Sequence, residues 1–265
     1  MLYAGLGAIL IGVCLGLLGS GGAIITVPLL VYLVGHAEKQ AIAESLLIVG
    51  AISLAGALHA GVKNRLSARH VVLMGLPGMV GAFLGALAAK FISGPVQLVL
   101  LSLVMLVASA VMFRGRPQSD ERPAVRQRAW ILMAQGLGVG VLTGLLGVGG
   151  GFLLVPTLVL LARLPMSLAV GTSLGIIALN CVTGFAKSWH ALERFGLAID
   201  WRVCAVFIGL GVVGIVVGTE VGGRMNQRLL RRIFAVFLVV MAVYIFVKEW
   251  PHAMAEPIPA SLPTH

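Results

Sequence analysis

Charge is scarce in this chain. Only 11% of its 265 residues are Asp, Glu, Lys or Arg, while 59% are hydrophobic and the mean hydropathy is +1.06. A soluble domain carries about 25% charged residues. The few charges of this chain therefore cannot keep a folded surface of this size in water. The composition excludes a soluble globular protein and makes the lipid bilayer the chain's main solvent.

Cysteine is also rare and forms no motif. Cys14, Cys181 and Cys204 lie singly within apolar stretches, and no CxxC pair occurs. This pattern favours small packing residues over metal or redox chemistry, so we expect no metal and no cofactor. The N-terminus lacks the basic segment of a signal peptide, and its apolar run continues past Gly22, which predicts a retained span.

The formal net charge of +10 raises the question of a nucleic-acid partner. The Lys and Arg residues lie in short loops between apolar stretches, where charges set membrane orientation. There is no arginine-rich arm and no basic face with aromatic platforms. We therefore expect the partners to be the lipid bilayer and a small anionic substrate, with no nucleic acid.

Eight apolar stretches are long enough to cross a membrane. They predict an all-α polytopic integral membrane protein in two homologous four-helix halves. The stretches are residues 2–34, 40–60, 70–92, 95–113, 130–162, 166–188, 202–222 and 229–248. The corresponding domains are a first membrane repeat at 1–113, a basic cytoplasmic linker at 114–129, a second membrane repeat at 130–248 and a disordered tail at 249–265.

One glycine-rich motif occurs twice, 128 residues apart. It reads GLLGSGG from Gly16 and GLLGVGG from Gly144, and each copy runs on to a Val-Pro pair. Over 16–33 and 144–161, 11 of 18 positions are identical. A duplicated helix break in two halves of a membrane protein indicates a transporter's binding site.

Length explains why the motif should break a helix. As one straight helix, residues 2–34 would run about 50 Å, against a hydrocarbon core of about 30 Å. The glycine clusters permit a break, and new helices would then begin near Ala23 and Phe152. Amide groups at a helix start have no helical partner and suit an anion. The glycines would therefore shape a backbone anion site; together with Ser20 they are Gly19, Gly21, Gly22, Gly147, Gly149, Gly150 and Gly151.

Polar residues of the following spans would complete this site. Ser45, Thr172 and Ser173 lie near the start of these spans and Asn180 lies mid-span, and together they offer hydroxyl and amide donors. Glu44 stands at the position that Thr172 holds in the second half. An ionisable residue near a span is costly and indicates function, so Glu44 either carries a coupled proton or caps a helix start at the interface.

Orientation follows from basic residues. If every stretch crosses once, the loops after spans two, four and six and the tail hold 12 Lys and Arg against 7 elsewhere. This count predicts cytoplasmic termini and parallel repeats, although the basic loop at 224–232 argues the other way. A first span that folds back on itself would change the parity.

Other features of the third spans have simpler explanations. Their regularly spaced glycines predict close helix packing without a functional role; these are Gly78, Gly81, Gly85, Gly211, Gly214 and Gly218. Glu220 lies four residues before Arg224, which predicts a local helix pair. His59 lies near a span end, where its polar tip can reach the interface.

With its doubled GLLGxGGxxxxVP motif, its AxxxSL segments at 41–46 and 169–174 and its basic linker, the chain resembles the sulfite exporter TauE/SafE family over residues 1–248. This resemblance implies a bacterial inner-membrane secondary carrier, not an enzyme, for small sulfur-containing anions such as sulfite, thiosulfate or sulfoacetate. The alternatives are a passive anion channel, a membrane-embedded enzyme and a non-transporting membrane subunit.

Overall fold

The computed structural model describes residues 2–19, 26–27, 29–89, 94–114, 127–146, 151–195 and 198–255. Within these ranges the regular structure is helical, as the composition predicts, and six of the helices are long and apolar enough to span a membrane. A short π-helical segment, Leu30–Val34, lies between the first two α-helices. The α-helices are α1 Leu2–Leu18, α2 Glu38–Val62, α3 Ala68–Ala88, α4 Gly94–Arg114, α5 Ala129–Leu146, α6 Gly151–Leu160, α7 Met166–Phe195, α8 Trp201–Arg224 and α9 Gln227–Ala255.

The first long apolar stretch is broken, as predicted. α1 ends at Leu18, and Gly19 adopts a left-handed backbone with φ of +70°, a conformation that glycine adopts readily. Further on, Leu29 packs beside Gly7, so closely that a Cβ on Gly7 would lie 2.5 Å from a methyl group of Leu29. The chain has therefore turned back along α1, and this part of the first half is a helical hairpin.

The second half repeats the break. α5 ends at Leu146 and α6 begins at Gly151, close to the predicted start at Phe152. The Nε2 of Gln127, just before α5, donates a 2.7 Å hydrogen bond to the carbonyl of Leu161, just after α6. Because the two ends of the stretch meet, it too folds back on itself.

The third spans pack on the opposite half through glycines. A Cβ on Gly16 of α1 would lie 2.6 Å from the carbonyl oxygen of Ile215 in α8, and one on Gly85 of α3 would lie 2.7 Å from the amide nitrogen of Leu145 in α5. Contacts advance together along each pair, so α1 runs parallel to α8 and α3 parallel to α5. The packing role predicted for these glycines is confirmed.

The second spans show how the halves are related. Gly184 meets Leu46, Gly50 meets Cys181, and Gly171 meets Ala60, so α2 and α7 cross in opposite directions. These helices hold matching places in the two halves. The halves therefore have inverted topology, and the parallel arrangement that single crossings predict is wrong, because each first span is a hairpin.

The bundle has two faces, the linker face and the terminal face. The linker face contains the end of α4 and the start of α5; Arg69, at the start of α3, donates to the carbonyl of Gln127 there. The terminal face contains the start of α1 and the end of α9. Because α4 and α9 are antiparallel, with the Ser109 hydroxyl donating to the Ala235 carbonyl, both ends of the described chain lie at the terminal face.

This arrangement redistributes the basic residues. The described ones at the linker face are Lys63, Arg65, Arg69, Arg114, Arg128, Arg163, Arg224, Arg228, Arg231 and Arg232. Those at the terminal face are Lys39, Lys187, Arg194, Arg202 and Lys248. The earlier count assumed eight single crossings, an assumption that the two hairpins remove, and the basic excess now lies opposite the termini.

At the C-terminal end, α9 continues to Ala255, beyond position 249 where the sequence predicted a disordered tail. A continued helix keeps its backbone groups hydrogen-bonded where the chain leaves the bilayer. The remaining tail residues lie outside the described ranges.

Candidate functional site

The tip of the first hairpin contacts the second half directly. The Ser173 hydroxyl lies 3.0 Å from the Gly19 carbonyl and 2.8 Å from the carbonyl of Val170 in its own helix. A Cβ on Gly19 would lie 2.5 Å from the Ser173 oxygen and 2.9 Å from Val155 of α6. The structure thus brings together two of the predicted site residues, one from each half.

Most of the predicted glycine site lies outside the described residues. This applies to Ser20, Gly21, Gly22, Gly147, Gly149 and Gly150. Gly151 is the first residue of α6, so it stands at a helix start as the backbone-donor hypothesis requires. Ser45 matches Ser173 in sequence and is buried, and its hydroxyl donates to the Ile42 carbonyl at 2.7 Å.

Asn180 lies seven residues, or about two turns, after Ser173 on the same face of α7. Its side-chain oxygen is buried and makes no hydrogen bond within the described part of the chain. Ser53 of α2 is fully buried, and its hydroxyl likewise has no partner there. A buried polar group without a partner is costly and calls for an explanation.

These two groups lie at similar depth. Gly50 packs against Cys181 where α2 crosses α7, near the middle of both helices. Ser53 is about one turn from Gly50, and Asn180 adjoins Cys181. The sequence predicted Asn180 because an amide is rare in an apolar span. It missed Ser53, because a lone serine usually bonds its own helix, as Ser45 does.

Glu44 and Thr172 perform matching tasks despite their different chemistry. The Thr172 hydroxyl oxygen accepts a 3.1 Å hydrogen bond from the backbone amide of Ser67, the residue before α3. The Glu44 carboxylate accepts a 2.9 Å bond from the backbone amide of Asp200, the residue before α8. Each side chain thus anchors the start of a helix in the other half, Thr172 that of α3 and Glu44 that of α8. This agrees with the capping alternative for Glu44.

Glu44 has further partners at the terminal face. Its side chain is fully buried, and its carboxylate oxygens lie 2.6 Å from Nδ1 of His36 and 3.0 Å from Nε2 of Gln40. Together with the Asp200 amide, three donors therefore surround one buried carboxylate. Such hydrogen bonds and a neighbouring histidine compensate the cost of burying the charge.

The sequence predicted that Glu220 pairs locally with Arg224, but its carboxylate pairs with residues at the end of α2 instead. Its Oε1 lies 3.1 Å from Nε2 of His59 and 3.1 Å from Nζ of Lys63, both at the end of α2. α2 and α8 pack against each other, and this brings the end of the first half's second span to Glu220. Contact between distant segments therefore overrides the i,i+4 pairing.

A wide apolar recess in the described part of the bundle is unsuited to an anion. A cavity of about 820 Å³ lies between α2, α3 and α7, and its lining is almost entirely Leu, Val, Ala and Gly. It supplies no cationic group. The polar groups around Gly19, Ser173 and Asn180 are therefore the better candidate site.

The geometry defines a polytopic membrane protein of two inverted, interlocked halves, in each of which the first apolar stretch folds back as a helical hairpin. Related proteins carry the name of a transporter. A "probable membrane transporter protein" of Xylella fastidiosa strain 9a5c is 33% identical over 255 residues, covering 93% of this chain and 95% of that protein. A protein so described from Methanocaldococcus jannaschii is 26% identical over 252 residues, covering 89% and 93%.

The model of the sulfite exporter TauE/SafE family matches residues 4–245. The chain therefore belongs to this family, and it is a membrane transporter.

Proposed function

We propose that this protein is a secondary transporter that exports small sulfur-containing anions, such as sulfite, thiosulfate or sulfoacetate, across a bacterial inner membrane. The observation that carries the proposal is the break at Gly19, which the second half contacts through Ser173. Inverted repeats with discontinuous helices are a common transporter architecture, with the substrate near the repeat interface.

The anion would bind between the hairpins at the level of the α2–α7 crossing. The Ser53 hydroxyl lies at this depth and is a donor that no described residue uses, and Asn180, whose side-chain oxygen is buried without a described partner, carries an amide NH2 that would donate to the anion. The amides at the start of α6 and the glycines of the doubled motif would add backbone donors. Such a site binds a negative charge without a buried Lys or Arg, which would be costly in lipid.

The packing also constrains how the site opens. α1 packs mainly on α8, and α3 on α5, so the first span of each half is held by the third span of the other half. The two sequence halves therefore cannot rock as independent bodies. Alternating access would instead move these interlocked pairs relative to α2 and α7.

A substitution at mid-span tests the function. In proteoliposomes loaded with sulfite, thiosulfate, sulfoacetate or a plain dicarboxylate, we expect Asn180→Leu or Ser53→Ala to lower flux of the preferred sulfur anion at least tenfold. Loss of one hydrogen bond to a charged group weakens binding by about 1.5–3 kcal/mol. Ser102→Ala is the control, because the buried Ser102 hydroxyl bonds the carbonyl of Val99 in its own helix.

The controls separate the alternatives. If wild-type protein in these vesicles transports the dicarboxylate and none of the sulfur anions, the substrate assignment is contradicted. Unchanged flux in folded Asn180→Leu and Ser53→Ala would remove the proposed site. Flux that fails to saturate and ignores an imposed proton gradient would favour a passive channel.

We further propose that the linker face is cytoplasmic, because it holds the greater number of basic residues. The termini would then lie outside the cytoplasm. In a bacterial host, a C-terminal alkaline phosphatase fusion should be active, and a C-terminal green fluorescent protein should be dark. Green fluorescent protein inserted between Arg114 and Arg128 should fluoresce. The reverse pattern would restore the cytoplasmic termini that single crossings imply.

A further inference from the structure

A small basic pocket opens at the linker face beside the tip of the first hairpin. It has a volume of about 20 Å³, room for about one water molecule. His59, Lys63 and Arg65 from the first half and Thr219 and Gly223 from α8 form its outer part, and its inner wall includes Gly16, Leu17 and Val170. A Cβ on Gly19 would lie 3.1 Å from the Cα of Val170, so the pocket ends next to the break.

The carboxylate of Glu220 pairs with two of the basic side chains of this pocket. Oε1 of Glu220 accepts from both Nε2 of His59 and Nζ of Lys63, each at 3.1 Å. Arg65 donates to a backbone carbonyl, that of Thr219, at 3.3 Å. A guanidinium has five N–H donors. Within the described part of the chain, that of Arg65 makes this one long hydrogen bond. Among the described residues, the three basic side chains that line the pocket thus have one carboxylate partner between them.

Glycine walls bring these groups close together. Gly223 lies against the Arg65 guanidinium, where a side chain would overlap it, and Gly171 lies against the carbonyl of Arg65. The guanidinium therefore lies at the wall of the pocket, against the backbone of α8. In this state the link between α2 and α8 leaves no room for an anion of several atoms.

We propose that this pocket is the capture site for the transported anion at the linker face, and that Glu220 closes it by occupying the place of the substrate. This inference rests on the proposed transport function and adds the site of entry. A carboxylate presents two oxygens with shared negative charge, the same chemistry that a sulfite or sulfonate group offers to Lys and Arg. An incoming anion would take over Lys63 and His59, with Arg65 as a further donor, and would release Glu220 and with it α8.

An exchange of this kind suits a gate. His59, Lys63 and Glu220 are each between a quarter and a half exposed, so the ion pairs are partly hydrated and contribute little net stability. Replacing one oxyanion by another then changes the free energy little, and the pocket can open without a large barrier.

The test compares the two members of one ion pair. On the linker-face side of proteoliposomes, Glu220→Gln removes the internal competitor, and we expect its KM for the transported sulfur anion to fall about tenfold. Lys63→Gln breaks the same pair but removes a substrate ligand, so its KM should rise about tenfold. Arg232→Gln, an exposed arginine of the same face outside the pocket, should leave KM unchanged. Equal shifts in the same direction for Glu220→Gln and Lys63→Gln would show a merely structural ion pair and overturn the capture site.

A second measurement does not depend on transport. In a Val170→Cys variant whose native cysteines are replaced by alanine, N-ethylmaleimide should label the introduced cysteine slowly. Adding Glu220→Gln or Lys63→Gln to this variant should speed the labelling at least fivefold. Potassium sulfate or methanesulfonate should slow labelling of the Glu220→Gln form relative to potassium chloride at equal ionic strength, and Lys63→Gln should abolish this protection. Protection by neither anion would overturn the capture site, whereas absent sulfur-anion flux in wild-type vesicles would overturn the proposed function alone.

Discussion

Replacing Gly19 with alanine is expected to abolish transport and to destabilise the folded protein by about 3 kcal/mol. Two costs add. An L-residue in the left-handed region costs about 1–2 kcal/mol, and the φ of Gly19 is +70°. The new methyl group would also lie 2.5 Å from the Ser173 oxygen and 3.1 Å from the Cα of Val170, and such overpacking costs about 1–3 kcal/mol. Thermal unfolding in detergent and flux in proteoliposomes measure the two effects.

Gly35 provides a matched control for the backbone cost. Its φ is +83°, yet a Cβ there would meet nothing within 4 Å, so Gly35→Ala should show the conformational cost without the contact and should retain transport. The double variant Gly19→Ala with Ser173→Ala should recover part of the stability lost by Gly19→Ala, because the closest clash is with the removed oxygen. Equal behaviour of Gly19→Ala and Gly35→Ala would show that contact between the hairpin tip and α7 has no role.

Replacing Glu44 with alanine is expected to destabilise the protein by about 3–5 kcal/mol, the cost of removing one partner from a buried charged network. The amides of Asp200 and Gln40 would lose their acceptor, and the start of α8 would lose its anchor in the first half. Glu44→Gln keeps an oxygen for the Asp200 amide, so we expect folded protein, measurable transport and an unchanged dependence of flux on the proton gradient.

The other half supplies the matched comparison. Thr172→Val removes the hydroxyl that accepts from the Ser67 amide, and we expect a smaller loss of about 1–2 kcal/mol, since only one neutral hydrogen bond is involved. Stability is measured by thermal unfolding and coupling by flux with and without an imposed proton gradient. A Glu44→Gln protein of wild-type stability whose flux no longer follows that gradient would contradict the anchoring role and establish Glu44 as the proton carrier.

Much of the fold was predictable because lipid imposes simple rules. Apolar length located the helices to within a few residues at most ends; α8 spans Trp201–Arg224 where the sequence predicted 202–222. The excess length of the first stretch and its glycines predicted the break, and α1 ends at Leu18 beside Gly19. These features depend on local backbone hydrogen bonds, which a single stretch of sequence determines.

The relation between the halves depended on the direction of one turn. A break between Gly19 and Pro28 is compatible with a kink that continues across the membrane or with a hairpin that returns. Leu29 beside Gly7 distinguishes the two, and this contact leaves no mark in composition or periodicity. Because each hairpin changes the side of every later loop, the assignment of charges to faces depended on it.

The partners of the polar residues were harder to foresee. Asn180 stood out by residue type alone, but Ser53 did not. The equivalence of Glu44 and Thr172 appears only when the amides of Asp200 and Ser67 are seen at matching positions before α8 and α3. Glu220 likewise found His59 and Lys63, which lie more than 150 residues earlier. Contacts at such separation depend on assembly of the whole bundle.

The exchanged glycine pairs also determine how the bundle can be assembled during synthesis. α1 is made first, but the helix against which its glycines pack, α8, is the last but one to leave the ribosome. Until then, Gly12 and Gly16 face lipid or a temporary neighbour. α3 similarly waits for α5. The first half therefore inserts into the membrane as loosely associated spans and acquires most of its native packing only as the second half arrives. A ribosome that stalls after α4 would leave a product without most of its native helix contacts, a substrate for membrane quality control.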